Sequence, residues 1–211
     1  MNTPQRRSEA SRPSSRHPLR RAGLPPSLLA LFALAACGGS SNNNDPSSRP
    51  TTAAAAAGAP TPLALRTDID YRVVNTCGSK LLSVAEGGAF SGAAVLVNTD
   101  AQKPSQRWRL EAAPDGDYVL RAAHARELTL DVQWSDPSEG NLVHAWQANS
   151  TNAQRWQIVA GTSPGTVQMR TRIDLTKALD VRWATADDGA AVHIWSLDDS
   201  CAQQWRLEPE G

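Results

Sequence analysis

The chain has 211 residues, 40% of them hydrophobic and 20% charged, which allows one domain with appendages. Its 21 Lys+Arg balance 21 Asp+Glu, but residues 1–69 hold 8 basic against 3 acidic side chains, and residues 70–211 hold 13 against 18. A mildly acidic domain lacks the basic face that a polyanion favours, so no nucleic acid partner is expected.

Arg6, Arg7, Arg12, Arg16, Arg20 and Arg21 precede the segment Leu24–Ala36, which is apolar apart from Pro25, Pro26 and Ser27. That run is too short for a comfortable bilayer span and has the form of a signal-peptide core. It ends in Leu34-Ala35-Ala36-Cys37, which resembles the bacterial lipobox. The resemblance implies a lipoprotein signal peptide over residues 1–36 and a lipid on Cys37. Ordinary secretion with a cut elsewhere is the alternative. Acyl chains contribute roughly 0.8 kcal/mol per buried methylene, so several on one cysteine hold it to a membrane without a helix. By similarity to Gram-negative lipoproteins, Gly38 after the cysteine implies the outer membrane of a bacterial envelope.

Residues 37–69 are rich in Gly, Ser, Asn, Pro, Thr and Ala, with almost nothing to bury. A disordered tether is expected there, with a reach of roughly 30 Å. Setting Cys37 aside leaves Cys77 and Cys201 near the two ends of an exported domain. An even pair in an oxidising compartment is most simply a disulfide. Two cysteines are too few for a structural zinc site, and no metal or other cofactor is expected.

From residue 70 onward the chain repeats itself. Gln-x-Trp occurs at Gln106-Arg107-Trp108, Gln154-Arg155-Trp156 and Gln203-Gln204-Trp205, in steps of 48 and 49 residues. Leu82-Ser83-Val84, Leu130-Asp131-Val132 and Leu179-Asp180-Val181 keep the same steps, as do Gly92, Gly140 and Gly189, and Val95, Val143 and Val192. Within a repeat the apolar stretches are short: Tyr118–Ala122, Leu128–Trp134, Leu142–Trp146 and Arg155–Val159, parted by Gly, Asp, Asn and Ser turns. No long helical period is present, so an all-β domain of three four-stranded repeats is predicted. Three units close around a threefold axis and leave no open sheet edge.

These markers, in this order and spacing over residues 70–211, resemble the ricin B-type β-trefoil lectins and related carbohydrate-binding modules. The resemblance implies a β-trefoil of three repeats of about 49 residues. Its first and last strands, around Tyr71–Asn75 and Gln203–Leu207, would pair and bring Cys77 near Cys201. That bridge departs from the family's usual one within a repeat.

Strand alternation and recurrence then sort the side chains. Trp108, Trp156 and Trp205 recur in all three repeats and are assigned to the core. Asp131 and Asp180, His144 and His193, and Trp146 and Trp195 occur in repeats two and three only, where repeat one has Ser83, Leu96 and Asn98. A set that is lost together while the scaffold persists behaves as a site. A carboxylate accepts sugar hydroxyls, an indole covers the apolar face of a pyranose, and an imidazole adds a polar contact. The resemblance implies these roles for Asp131, Asp180, Trp146, Trp195, His144 and His193, with Gln154 and Gln203 supporting each carbohydrate site. It also leads to Asn where this chain has Ala153 and Ala202, which puts galactose-type specificity in doubt. Asn149 or Asn152 is a candidate replacement in repeat two, with Asp198 and Cys201 at the matching places in repeat three. The plainer readings are turn-forming aspartates, packing tryptophans and surface histidines. Trp134 and Trp183 also recur only in repeats two and three; alternation puts them on the face of Val132 and Val181, as packing residues or a pocket rim. His124 has no counterpart and no role.

No nucleophile elbow, zinc-protease motif or phosphate loop is present, so no enzyme is expected. The reading is a monomeric, membrane-anchored carbohydrate-binding lipoprotein with two sugar sites, its partners glycans or polysaccharide. A non-catalytic protein-interaction trefoil is the alternative.

Overall fold

The computed structural model describes residues 60–210. The segment expected to be a signal peptide, Cys37 and the expected tether up to residue 59 lie outside the described residues. Twelve strands follow one another: β1 (Asp70–Asn75), β2 (Lys80–Val84), β3 (Ala93–Asn98), β4 (Trp108–Ala112), β5 (Tyr118–Ala122), β6 (Ala125–Val132), β7 (Val143–Gln147), β8 (Trp156–Ala160), β9 (Val167–Thr171), β10 (Lys177–Val181), β11 (Ala190–Ser196) and β12 (Trp205–Pro209). Alternation explains their faces. In β5, Tyr118, Leu120 and Ala122 point inward while Val119 and Arg121 do not.

Two closed rings arise from the pairing. Strands β1, β4, β5, β8, β9 and β12 pair antiparallel in a cycle, β12 returning to β1, and form a barrel. The hairpins β2–β3, β6–β7 and β10–β11 cap one end of it. The hairpins also meet one another, through β3–β7, β11–β3 and the bridge between Leu142 and His193. This is the β-trefoil, and its closure is what three short repeats need to hide their sheet edges.

Each repeat anchors itself in the core by one tryptophan. Trp108, Trp156 and Trp205 are fully buried, and each indole Nε1 donates to the carbonyl of its own repeat's leucine: Leu82 at 2.8 Å, Leu130 at 3.2 Å and Leu179 at 3.0 Å. The buried N–H is thereby satisfied, as a buried indole requires. The glycine before each third strand joins one repeat to the next. Gly92, Gly140 and Gly189 have φ of +95°, +78° and +81°, a conformation that suits glycine. Their amides donate to Ala145 (2.8 Å), Ile194 (2.9 Å) and Val97 (2.9 Å).

Two expectations are corrected. The tether does not reach residue 69. Leu63, Leu65 and Ile69 pack against the core; the Leu63 amide donates to Ile158 O at 2.9 Å. Tyr118 Oη donates to Leu63 O and accepts from the Leu65 amide, both at 2.8 Å. Three apolar side chains are enough to dock a segment whose composition otherwise reads as linker. Nor does the stretch Leu128–Trp134 stay extended. The strand stops at Val132, and Trp134 takes φ 58°, as Trp183 takes φ 65° in repeat three. A left-handed residue breaks the alternation, so both indoles leave the face of Val132 and Val181 and are 87% and 84% exposed.

Cys77 and Cys201 form the disulfide, with Cα atoms 4.9 Å apart. The β1–β12 register sets Asn75 opposite Trp205, and the Asn75 side chain donates to Ala202 O at 2.9 Å, holding the two ends together. The bond spans 124 residues of sequence, for which the chain-entropy relation gives about 5 kcal/mol. Replacing both cysteines by alanine is expected to lower the unfolding free energy by up to that amount. A urea melt with an unchanged midpoint would show that the bond adds nothing.

Candidate functional site

In repeat three the site is built on the β10–β11 hairpin. Asp180 lies directly opposite His193 across the strand pair, and His193 Nε2 sits 2.8 Å from Asp180 Oδ1. In repeat two Asp131 lies opposite His144 in the same way, at 3.1 Å. Repeat one pairs Ser83 with Leu96 at this place. The co-loss of aspartate and histidine therefore has a local cause. They are one cross-strand pair, and a buried carboxylate without its donor is costly.

The tryptophan two residues after each histidine points to the same face. Trp146 stacks on His144 with ring centres 5.0 Å apart, and Trp195 on His193 at 5.5 Å, both at 19°. The histidines are 7% and 5% exposed, so they are not surface residues. Each lies between an aspartate it holds and an indole it backs. The aspartates lie one residue before their strands end, are buried and bond the facing histidines, which leaves no support for the turn-forming reading. Trp146 and Trp195 are a little over one-third exposed, and so present a free face. A methyl group on Gly92 would meet the Trp146 ring at 3.7 Å, and one on Gly140 the Trp195 ring at 3.6 Å. Each stacked indole thus rests against the glycine turn of the preceding repeat.

Gln154 and Gln203 belong beneath the site, not in contact with a ligand. Both are buried. Gln203 Oε1 accepts from the Asp198 amide at 3.0 Å, and its Nε2 donates to Ser196 O at 2.8 Å and to Asp180 Oδ2 at 3.2 Å. Gln154 makes the first two bonds, with Asn149 N at 2.9 Å and Gln147 O at 3.0 Å, and no bond to Asp131. Gln106 makes them too, with Ala101 N and Thr99 O, both at 2.8 Å, in the repeat that has no such site. The glutamine clamps the loop between its repeat's last two strands. Ala153 and Ala202 are buried as well, and of the two only Ala202 lines a cleft, with a methyl group where an amide would offer hydrogen bonds.

A cleft opens in front of each aspartate. In repeat three it measures about 540 Å³ and is lined by Asp180, His193, Trp195, Trp183, Arg182 and Glu139, with Asp198, Ser200 and Gly140 at its edges. In repeat two it measures about 160 Å³ between Asp131, His144, Trp146, Trp134, Ser135 and Asn149. The matching place in repeat one is a dent of about 100 Å³ beside Ser83. Trp134 and Trp183 are therefore rim residues. Asn149 and Asp198 reach the clefts, whereas Asn152 and Cys201 do not line them. Each rim indole sits on a left-handed, non-glycine backbone, as does Glu86 at the matching place in repeat one, so this turn belongs to the scaffold and the indole is what the two site-bearing repeats add.

Glu139 was not among the residues picked out from the sequence, because it belongs to repeat two yet lines the cleft of repeat three. It accepts from Ser196 Oγ, and Lys177 Nζ lies 3.5 Å away. The Ser196 hydroxyl, aided by the Lys177 charge, holds this carboxyl below the usual carboxylate range. It remains an acceptor at any neutral pH.

A family model for ricin-type β-trefoil lectin domain-like proteins matches residues 64–146 and 124–195. The chain belongs to this family. It is a carbohydrate-binding trefoil, of a class that is non-catalytic. Among solved structures, a designed threefold-symmetric protein, ThreeFoil, is 32% identical over 66% of this chain and 97% of that one, with TM-score 0.63. An exo-β-1,3-galactanase from Clostridium thermocellum is 24% identical over 70% of this chain and 31% of the galactanase, with TM-score 0.65. A ricin B-like lectin of Macrolepiota procera in complex with lactose is 13% identical over 70% of this chain and 100% of the lectin, with TM-score 0.60. Among curated proteins no sequence match is found.

The clamp role of the glutamines in this trefoil has a direct test. Gln106→Ala, in the repeat without the aspartate, is expected to cost as much stability as Gln154→Ala, about 2–4 kcal/mol for two orphaned backbone groups. A Gln106→Ala protein with wild-type stability would show that the clamp is not what the glutamine contributes.

Proposed function

We propose that this chain is a membrane-tethered lectin with two sugar sites, one each in repeats two and three. The observation that carries the reading is the Asp–His–Trp unit at the floor of an open cleft, present twice and replaced by Ser83, Leu96 and Asn98 in repeat one. In each unit the histidine fixes the carboxylate through one oxygen. An ionised carboxylate has about four lone-pair sites, so acceptor capacity is left for ligand hydroxyls. The free face of Trp146 or Trp195 suits the C–H face of a pyranose. Among the described residues no group of side chains is placed to hold a metal ion.

Single sites of this shallow kind bind weakly. Two on one rigid body gain avidity when the ligand is a polymer. The tether and the lipid on Cys37 would hold that body to a bacterial outer membrane. Support for this part comes from the basic segment, the apolar run and Leu34-Ala35-Ala36-Cys37.

A glycan array probed with the full chain in detergent is expected to give ligands. Asp131→Ala combined with Asp180→Ala should weaken their binding by at least tenfold, as loss of charge-assisted hydrogen bonds implies. Retained binding in the double variant would remove the lectin assignment. For the anchor, Cys37→Ser is expected to abolish labelling by radioactive palmitate and move the protein from the membrane pellet to the soluble fraction. Labelling that persists would place the lipid elsewhere or nowhere.

A further inference from the structure

The two sites are not equivalent. Both have an aspartate, a histidine, a stacked indole and a rim indole, yet one cleft measures about 540 Å³ and the other about 160 Å³. The difference lies in what surrounds the shared unit. In repeat three the preceding repeat contributes Glu139 as a wall, anchored by Ser196 and Lys177. Its counterpart one repeat earlier is Ser91, whose hydroxyl accepts from the Gln147 amide at 3.0 Å and does not line the cleft. Leu128 stands where Lys177 does, so no ion pair extends that wall.

The rim differs too. The Arg182 guanidinium lies over the Trp183 ring, 5.4 Å from its centre, and among the described residues it meets no carboxylate within salt-bridge distance. The position before Trp134 is Gln133, which offers no such cover. Trp183 is thus steadied by a cation–π contact while Trp134 is not. Both clefts have two indoles, but only in the larger one is the rim indole, Trp183, held by a neighbouring cation across from Trp195. Beside them stand an acceptor beyond Asp180, namely Glu139, and a donor, Arg182. Clefts of roughly 300–1,000 Å³ take ligands of several rings, and the smaller cleft falls below that range.

We infer that repeat three binds an oligosaccharide chain of two or more pyranose rings, with Trp183, Arg182 and Glu139 as the second subsite, whereas repeat two binds a single ring. This rests on the lectin reading above. Asp180, His193 and Trp195 hold the first ring in both accounts. Trp183 sets the preference for length.

The test uses the full chain in detergent, with Asp131→Ala to isolate repeat three and Asp180→Ala to isolate repeat two. The probes are β-1,3-galacto-, β-1,4-xylo- and β-1,4-gluco-oligosaccharides of one to four units, together with the same length series of any array ligand, titrated by calorimetry. With Asp131→Ala, affinity is expected to rise about tenfold from one unit to two or three, the scale of an added aromatic contact. With Asp180→Ala it should stay within about twofold across the series. Adding Trp183→Ala to Asp131→Ala should erase the rise and leave one-unit affinity unchanged, while Trp183→Phe should keep most of it. Equal length dependence at the two sites, or a Trp183→Ala loss that is the same for one unit as for three, overturns the inference and leaves the lectin reading intact. Failure of every glycan on the array overturns both.

Discussion

The fold turns on a backbone hydrogen bond made three times. The amide of the glycine that begins each outer hairpin strand reaches the strand carbonyl of the next repeat: Gly92 to Ala145, Gly140 to Ile194 and Gly189 to Val97. The third returns to the first repeat, so the relay is a ring with no free end. It requires positive φ at each position, which is why glycine stands at all three. The buried tryptophans fix each repeat to its own leucine; the glycines fix the repeats to one another. Losing one core indole would cost roughly 3–5 kcal/mol by cavity formation alone. Losing one glycine would strain a joint on which two repeats depend.

On that frame the polar residues divide by recurrence. Gln106, Gln154 and Gln203 tie the same pair of backbone groups whether or not a site stands above them. The aspartate and histidine are an added cross-strand pair that the frame tolerates but does not need, as Ser83 and Leu96 demonstrate. A buried carboxylate in a strand is stable only with donors in place. Asp180 has two, His193 Nε2 and Gln203 Nε2, and Asp131 has one, His144 Nε2. Site and scaffold are therefore joined at one atom in repeat three and only abut in repeat two.

Most of the fold was legible because its markers recur at one spacing. The three Gln-x-Trp units, the glycines and the valines gave the repeat length, the strand count and the core indoles. Recurrence also explains how Gln154 and Gln203 support the sites: a residue common to all three repeats belongs to the scaffold, the argument that placed Trp156 in the core. The positions of Trp134 and Trp183 were harder to read. Nothing in a tryptophan signals a left-handed backbone, so alternation carried them to the wrong face. Leu63, Leu65 and Ile69 were hidden by their neighbours, since a segment of Pro, Thr and Ala reads as linker until a partner surface is known. Glu139 escaped because a repeat-by-repeat reading assigns each residue to its own repeat's site, and this one serves the next.

That last point explains why duplication has not produced two equal sites. The residue before each glycine reaches across the joint: Ser91 toward repeat two, Glu139 toward repeat three, Asp188 back toward repeat one. Glu139 pairs with Lys177, and Asp188 pairs with Lys80 at 2.9 Å, the same position one repeat on. Only the repeat-three cleft takes wall residues from its predecessor, Glu139 and Gly140. Repeat two follows repeat one, which has a serine at this place, and its cleft is small. Repeat three follows repeat two, which contributes a carboxylate held by a lysine, and its cleft is larger. Repeat one receives the acid–lysine clip from repeat three but has no aspartate or histidine behind it, and Asp188 closes down on the Thr99 amide instead. In a ring of three the order of the copies matters as much as their content.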